Sequence, residues 1–251
     1  MFVILPWMSV HIQTSNMHLR PAKPSDEPAI VSICARAFME EDLFGRVMHP
    51  HRAKYPNDVK IFWHEWLRND WTNPRNKVIV AVSTADDQQE SVIGAAIWQR
   101  QGDDAGAQRI IAGWTDPGTF PVLPSTHNRA ADPSKKEILA QAASFTKHYW
   151  AGPCATNWYL SLCCVDPDVK GRGAGRLLVR WGLDRAEEEG IRASVMASEG
   201  SDGFYLKFGF DEVVGNASEG EGNPLRKEGV KGGKILFMWV KNGKAIEGAA
   251  V

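Results

Sequence analysis

The sequence predicts an α+β fold: a mixed, mostly antiparallel central sheet flanked by helices. Three observations predict it. Short apolar runs of strand length recur along the whole chain, at 77–82, 91–98, 158–165, 191–197, 210–214 and 234–240. Two of them, 77–82 and 91–98, are joined only by the polar stretch 83–90, which reads as an antiparallel hairpin. Helical segments interrupt the runs in the order β-α-α-β-β, an insertion, then β-α-β-α-β-β, which is not the regular alternation of a parallel sheet.

Each element has a local cause. Leu19-Arg-Pro-Ala22 starts a strand. Ser25 or Asp26 is placed to cap a helix over 27–38, where Pro28 falls in the tolerated first turn and Ile30, Ile33, Ala37 and Phe38 keep helical spacing. Asn57 or Asp58 opens a second helix through Trp66 and Leu67. After the hairpin, residues 101–134 are rich in Gly, Asp, Pro and Asn and read as a long excursion that covers a site. Pro133 or Ser134 opens a helix through His148, with Ile138, Leu139, Ala142 and Phe145 on one face. The helix after strand 158–165 carries Ala174, Leu177, Leu178, Trp181 and Ala186 at helical spacing and stops at Gly190. A short helix over 201–208 ends at Gly209.

Composition bounds the function. A chain of 251 residues suits one domain, expected over 17–241 with the insertion at about 101–134, an N-terminal extension at 1–16 and a tail at 242–251. A formal net charge of -1 argues against a whole-surface nucleic-acid footprint. The apolar start, Met1–Met8, lacks a basic flank, and no later stretch approaches a membrane span, so neither leader nor membrane is expected. Cys34, Cys154, Cys163 and Cys164 form no CxxC pair and no zinc spacing; no metal is expected, and reduced thiols in a cytoplasmic protein are the simplest reading. Cys163 and Cys164 are adjacent in a strand and should point to opposite faces.

The stretch Val165-Asp-Pro-Asp-Val-Lys170-Gly-Arg-Gly-Ala-Gly175-Arg176 holds the chemistry. A strand enters it, glycines crowd its middle and an amphipathic helix leaves it. Such a loop gathers backbone N–H groups at the positive end of a helix dipole, where a phosphate is the natural guest. A P-loop is excluded, because no Lys-Ser/Thr follows Gly175. A dinucleotide fingerprint is excluded, because Leu178 stands where its third glycine should fall.

Some thirty residues on stands Phe204-Tyr-Leu-Lys-Phe-Gly-Phe210. Together with Val165-Asp-Pro and Lys170-Gly-Arg-Gly-Ala-Gly175, it resembles the GCN5-related N-acetyltransferase (GNAT) superfamily. That family's acyl-CoA loop reads Arg/Gln-x-x-Gly-x-Gly/Ala, and its later helix carries Tyr-x-x-x-Gly-Phe. Lys170 departs from the first position, keeping the charge and losing the planar fork of arginine. The resemblance is sharp over 158–214 and looser over 19–98, and the Ala197-Ser-Glu segment before the tyrosine helix looks most like the small-molecule branch.

The resemblance implies the acyl-CoA N-acyltransferase fold and acetyl-CoA as co-substrate. Main-chain groups of Cys163, Cys164 and Val165 would pair with the pantetheine arm. Lys170, Gly171, Arg172, Gly173, Ala174, Gly175 and Arg176 would hold the pyrophosphate. Tyr205 would act as general acid to the departing CoA thiolate, after direct attack by an amine. The acceptor would be a small-molecule amine, with a protein or peptide acceptor, or a non-catalytic acyl-CoA-binding module, as the alternatives; the assembly would be a monomer or homodimer.

Several side chains stay open. Glu199, Asp202, Ser161, Tyr159 and His148 are candidate bases, with Tyr159, Ser161 and Cys163 on one strand face by period two. Cys163 suggests a covalent acyl route, but reads first as apolar filler. Trp63, Trp66, Trp98 and Trp114 are candidate walls of an acceptor pocket. Glu40, Glu41 and Asp42 supply acidity for a polyamine, or simply face solvent.

Overall fold

The computed structural model describes residues 16–84, 89–123, 127–241 and 244–245. The extension expected at 1–16, save Asn16, and the tail at 242–251, save 244–245, lie outside them. The main elements are β1 (Asn16–Pro21), α1 (Glu27–Ala37), α2 (Val59–Thr72), β2 (Asn76–Thr84), β3 (Glu90–Gln101), α3 (Ala105–Ala112), α4 (Ile138–Thr146), β4 (Asn157–Val165), α5 (Ala174–Glu189), β5 (Arg192–Ala197), α6 (Asp202–Leu206), β6 (Glu212–Asn216), α7 (Pro224–Lys227) and β7 (Lys234–Met238). A π-helical turn, Asp42–Val47, sits between α1 and α2.

Seven strands form one mixed sheet in the order β1-β2-β3-β4-β5-β7-β6. Only β4 and β5 run parallel; every other pair is antiparallel. The expected fold class is therefore the observed one. Alternation along β2 splits its side chains between two cores. Ile79 and Ala81 face α5, while Val78, Val80 and Val82 face α1 and α2.

Helix α5 lies across the first face because Ala174, Leu178, Leu183 and Ala186 form a stripe with at most 1% exposure. Trp98 lies against it where Gly182 leaves room. A Cβ at 182 would come within 2.2 Å of the indole, and the Trp98 N–H donates to Leu178 O at 3.1 Å. Gly190 closes α5 in the left-handed conformation at φ +64.

Two elements differ from the reading of the sequence. Asp26 does not cap α1; its carboxylate takes two hydrogen bonds from Arg20 and one from the Lys23 N–H. A charged fork simply outcompetes a helix end. The span 102–156 between β3 and β4 carries α3, whose N-terminus is capped by Asp104, within the expected excursion. Its period was too short to be read among glycines and acids.

Candidate active site

Strands β4 and β5 pair only where Asn157–Leu160 meet Arg192–Val195. Beyond that point they part, and Ser161 to Val165 have no strand beside them on the β5 side. The cause lies in β4. Leu160 pairs with Trp98 and Leu162 with Ile97, leaving Ser161 as the extra residue of a bulge. A bulge bends its strand and swaps its faces. Leu160 packs with α5, whereas Leu162 and Cys164 pack with α1 and α2. Cys163 accordingly turns to the α5 side. The expected common face of Tyr159 and Cys163 is lost at this bulge. Cys164, opposite Cys163 as expected, lies with its Sγ 3.4 Å from Cys34 Sγ.

The glycine loop follows at the mouth of this split. Arg36 pairs with Asp166 at 2.6 Å and Asp168 at 2.7 Å, tying the loop to α1. Gly171 and Gly173 hold φ of +86 and +100, and the space around both is open. Conformation rather than crowding requires glycine there. No side chain caps α5, and Leu177 N–H is the first to bond back, to Gly173 O. The N–H groups of Ala174, Gly175 and Arg176 are thus left open at the positive end of a 16-residue helix. Lys170, Arg172 and Arg176 are exposed and make no ion pair among the described residues. Three cations beside a positive helix end repel one another and the dipole unless an anion sits among them.

Behind the split lies a cavity of about 360 Å³. Phe38, Phe44 and Trp66 form one wall, Leu160, Leu162 and Met196 another, and α4 supplies Leu139, Ala142, Ala143 and Thr146 as a roof. None of the described residues of the excursion at 101–134 is a wall; α4, just after it, supplies several. Of the four tryptophans expected there, only Trp66 lines the space. Trp63 is buried behind it, stacked on Phe38 with centroids 5.0 Å apart. Trp98 is on the opposite face, and Trp114 donates to Trp71 O at 3.4 Å.

Four ionisable side chains besides Cys163 reach this cavity: Glu41, Asp70, Tyr159 and Tyr205. Glu41 caps the π-helical turn, its Oε2 accepting the N–H groups of Leu43 at 2.9 Å and Phe44 at 2.6 Å. Burial, and then the neighbouring Asp42, push its pKa up to about 8. Asp42 is 4% exposed and is held below the usual range, against the cost of burial, by Glu41 and by the N–H groups of Gly232 and Lys231. Its Oδ1 is buried without a donor. A proton held on Glu41 beside it satisfies both carboxyls, as expected of two acids in one site.

Tyr205 is 7% exposed, and burial, then Cys163, raises its pKa well above the ordinary phenol value. It remains a hydrogen-bond donor at neutral pH. Burial likewise pushes the Cys163 thiol well up. A thiol that stays protonated is a poor nucleophile, which removes the basis for a covalent route.

The other base candidates are occupied elsewhere. Glu199 pairs with Arg46 at 3.2 Å, Asp202 pairs with Lys234, and His148 is exposed against Tyr149. Neither Glu199 nor Asp202 is a cavity wall. Ser161 lines the cavity but donates to Ile97 O at 3.3 Å. Phe38, Phe44 and Asp70 are walls that the sequence pattern does not single out, and of the acidic run Glu40, Glu41 and Asp42 it is Glu41 that reaches the cavity. A signal existed for Asp70: it continues the α2 stripe of Trp63, Trp66 and Leu67, and an acid in an apolar stripe needs a reason.

The acetyltransferase (GNAT) family profile matches residues 42–210. The chain belongs to that family. An acetyltransferase of Stachybotrys chartarum is 23% identical over 197 residues, 78% of this chain and 81% of that protein. Among solved structures, a histone acetyltransferase HPA2 and related acetyltransferase from Corynebacterium glutamicum matches with a TM-score of 0.51 and 16% identity, covering 93% of this chain and 99% of its own. The PaiA N-acetyltransferase of Thermoplasma acidophilum, in complex with coenzyme A, matches with a TM-score of 0.45 and 11% identity over 88% of this chain and 97% of its own.

Proposed function

We propose that this protein transfers the acetyl group of acetyl-CoA to a small-molecule amine. The observation that carries the reading is the apolar cavity opening at the β4–β5 split, with Glu41 and Tyr205 both in its wall. Acetyl-CoA, when bound, supplies an activated acyl thioester. The chain's own features fit it. Unpaired main chain of Cys163, Cys164 and Val165 offers a strand edge to the pantetheine arm. The open N–H groups of α5, with Lys170, Arg172 and Arg176 around them, suit a pyrophosphate. Lys170 serves there as a point charge, so its departure from Arg costs little.

Glu41 is the base. An ammonium has no lone pair, so the acceptor must lose a proton before it attacks. A carboxylate with a pKa of about 8 sits near working pH, where a base is most effective. Asp42 positions it: its fixed charge raises Glu41, and its own bonds to Lys231 and Gly232 keep it from turning away. Tyr205 donates to the departing sulfur. The cavity, roofed by α4, is small for a folded peptide segment and adequate for a small amine. The free thiols of all four cysteines fit the reducing cytoplasm, and no helix among the described residues is long and apolar enough to cross a membrane.

The test is thiol release from acetyl-CoA by the purified protein over a panel of amines and amine-bearing peptides. Turnover with small amines supports the proposal. Turnover with peptides far above any small amine selects a protein acetyltransferase. Tight acetyl-CoA binding without turnover on either panel selects a binding module.

A further inference from the structure

We infer that the far end of this cavity is a subsite for a second ammonium group, with Asp70 as its anchor, so that the preferred acceptors are diamines rather than monoamines. The inference rests on the proposed acetyl transfer and names its substrate class.

Cys163 lines the cavity from the unpaired part of β4, where Ala197 and Tyr205 also line it, whereas Tyr159 lines it from the part of β4 still paired with β5, with Gln99 and Asp70 beside it. Tyr159 precedes Cys163 by four residues of β4, with the bulge at Ser161 between them. Tyr159 and Gln99 are direct partners across β4 and β3, so their side chains share one patch of floor. Asp70 reaches the same patch from the last turn of α2. The apolar remainder of the lining includes Phe38, Phe44, Trp66, Leu160 and Leu162.

The carboxyl at the far end is incompletely satisfied. Asn76 Nδ2 donates to Asp70 Oδ1 at 3.1 Å, and Asn76 is itself oriented by Gln99 Nε2 at 3.1 Å. Asp70 Oδ2 is buried with no hydrogen-bond partner. The Trp66 indole N–H, one turn earlier on α2, is equally buried and equally without a partner. It is near enough to Asp70 to hold the carboxyl's pKa down against burial, as Asn76 also does, and neither brings a charge. No cation faces Asp70 in any ion pair among the described residues, unlike Asp26, Asp58 and Glu27, each of which has an arginine. A buried carboxylate left in this state is expensive unless a ligand completes it. Burial raises its pKa to about 6, so it is ionised at neutral pH and attracts a cation. Tyr159, beside it on the cavity wall, is pushed up to about 12 by burial and then by Asp70 itself, and stays protonated. An acceptor with an apolar middle and an ammonium at each end matches the sequence of walls: one amine beside Glu41 and the split, the other against Asp70.

The experiment compares hexamethylenediamine with hexylamine, which share a skeleton and differ in the second amine. Thiol release is measured with the full chain and acetyl-CoA. The diamine is expected to have a kcat/KM above the monoamine by about tenfold or more, the value of one good charge-assisted contact. In Asp70→Asn that ratio falls toward one. In the wild-type protein the ratio declines as pH falls through about 6, where Asp70 takes up its proton. Equal rates for the two amines in the wild type, or a ratio unmoved by both Asp70→Asn and pH, overturn the inference. If neither amine is acetylated, the amine panel decides the proposed activity, and calorimetry of hexamethylenediamine decides the subsite separately. Affinity weakened about tenfold in Asp70→Asn sustains it, and equal affinity overturns it.

Discussion

The two sides of the cleft are built from different material. On the side proposed for acetyl-CoA the available groups are main chain: the unpaired edge of β4 past Ser161 and the open N–H groups at the start of α5. On the side proposed for the acceptor they are side chains, brought from the residue after α1, the π-helical turn and its cap, α2, β3, α4, β4, β5 and the segment before β7. A backbone cradle tolerates almost any side chain provided the conformation is kept. A side-chain cavity changes its guest with each substitution. On the proposed reading, the guest of the side-chain cavity can therefore change while the backbone cradle stays the same.

That contrast can be broken most sharply at Glu41. Glu41→Gln keeps the two hydrogen bonds to Leu43 and Phe44 and removes the base. Its kcat is expected to fall about a thousandfold, the middle of the range for a positioned base, with acetyl-CoA affinity unchanged by calorimetry. In the wild type kcat/KM should rise with pH and level off above about 8, the Glu41 value. A profile unchanged by Glu41→Gln would return the base to solvent.

Gly173→Val attacks the other side. A β-branched residue at φ +100 is strained in the loop that must present the first N–H groups of α5. The dissociation constant for acetyl-CoA should rise about a hundredfold, equivalent to losing one or two charge-assisted hydrogen bonds. Gly171→Val, at φ +86, should act in the same direction. Unchanged affinity in both would refute the loop assignment.

Tyr205→Phe is a smaller and more selective change. The phenol is buried at the split and its aromatic contact with Phe210, at 5.9 Å, survives the substitution. A fall of about tenfold in kcat with acetyl-CoA affinity preserved is expected of a lost proton donor whose place water takes. Equal losses in both quantities would make Tyr205 a packing residue.

The same contrast explains what was legible in the sequence. The glycine loop, the Tyr205 helix and the strand order are local patterns, because turns and helix starts are dictated by neighbours in the chain. The bulge at Ser161 is not local. It is a matter of register between two strands more than sixty residues apart, and without it a period-two reading puts Tyr159 and Cys163 together. Glu41 looked like a solvated acid because Glu40, Glu41 and Asp42 form a run at a helix end; only the fold shows Glu40 outward on Arg52 and the other two turned inward. The aromatic wall was misjudged for the same reason. Trp98 and Trp66 are alike in sequence, and Gly182, distant in the chain, decides that one of them packs under α5.

The smallest expected effect is on stability, and its sign follows from the same carboxyl pair. Glu41 has its pKa raised from 4.5 to about 8 on folding. Below 4.5 it is protonated in both states and its contribution is fully present. As pH rises from 4.5 to 8 the unfolded chain gives up this proton while the folded protein keeps it, so stability falls, and the contribution is gone above about 8. Asp70 adds a loss of the same sign between 3.8 and about 6. His49, held low chiefly by burial, opposes both, but only below its ordinary 6.5. The interval from 6.5 to 8 is therefore left mainly to Glu41. The melting temperature should decline across it by a few degrees, on the order expected for a chain of this size. Glu41→Gln should flatten that decline, because an amide has no proton to lose. A slope as steep in Glu41→Gln as in the wild type would mean that Glu41 and Asp42 do not hold a shared proton. The alkaline rise in activity would then need another origin.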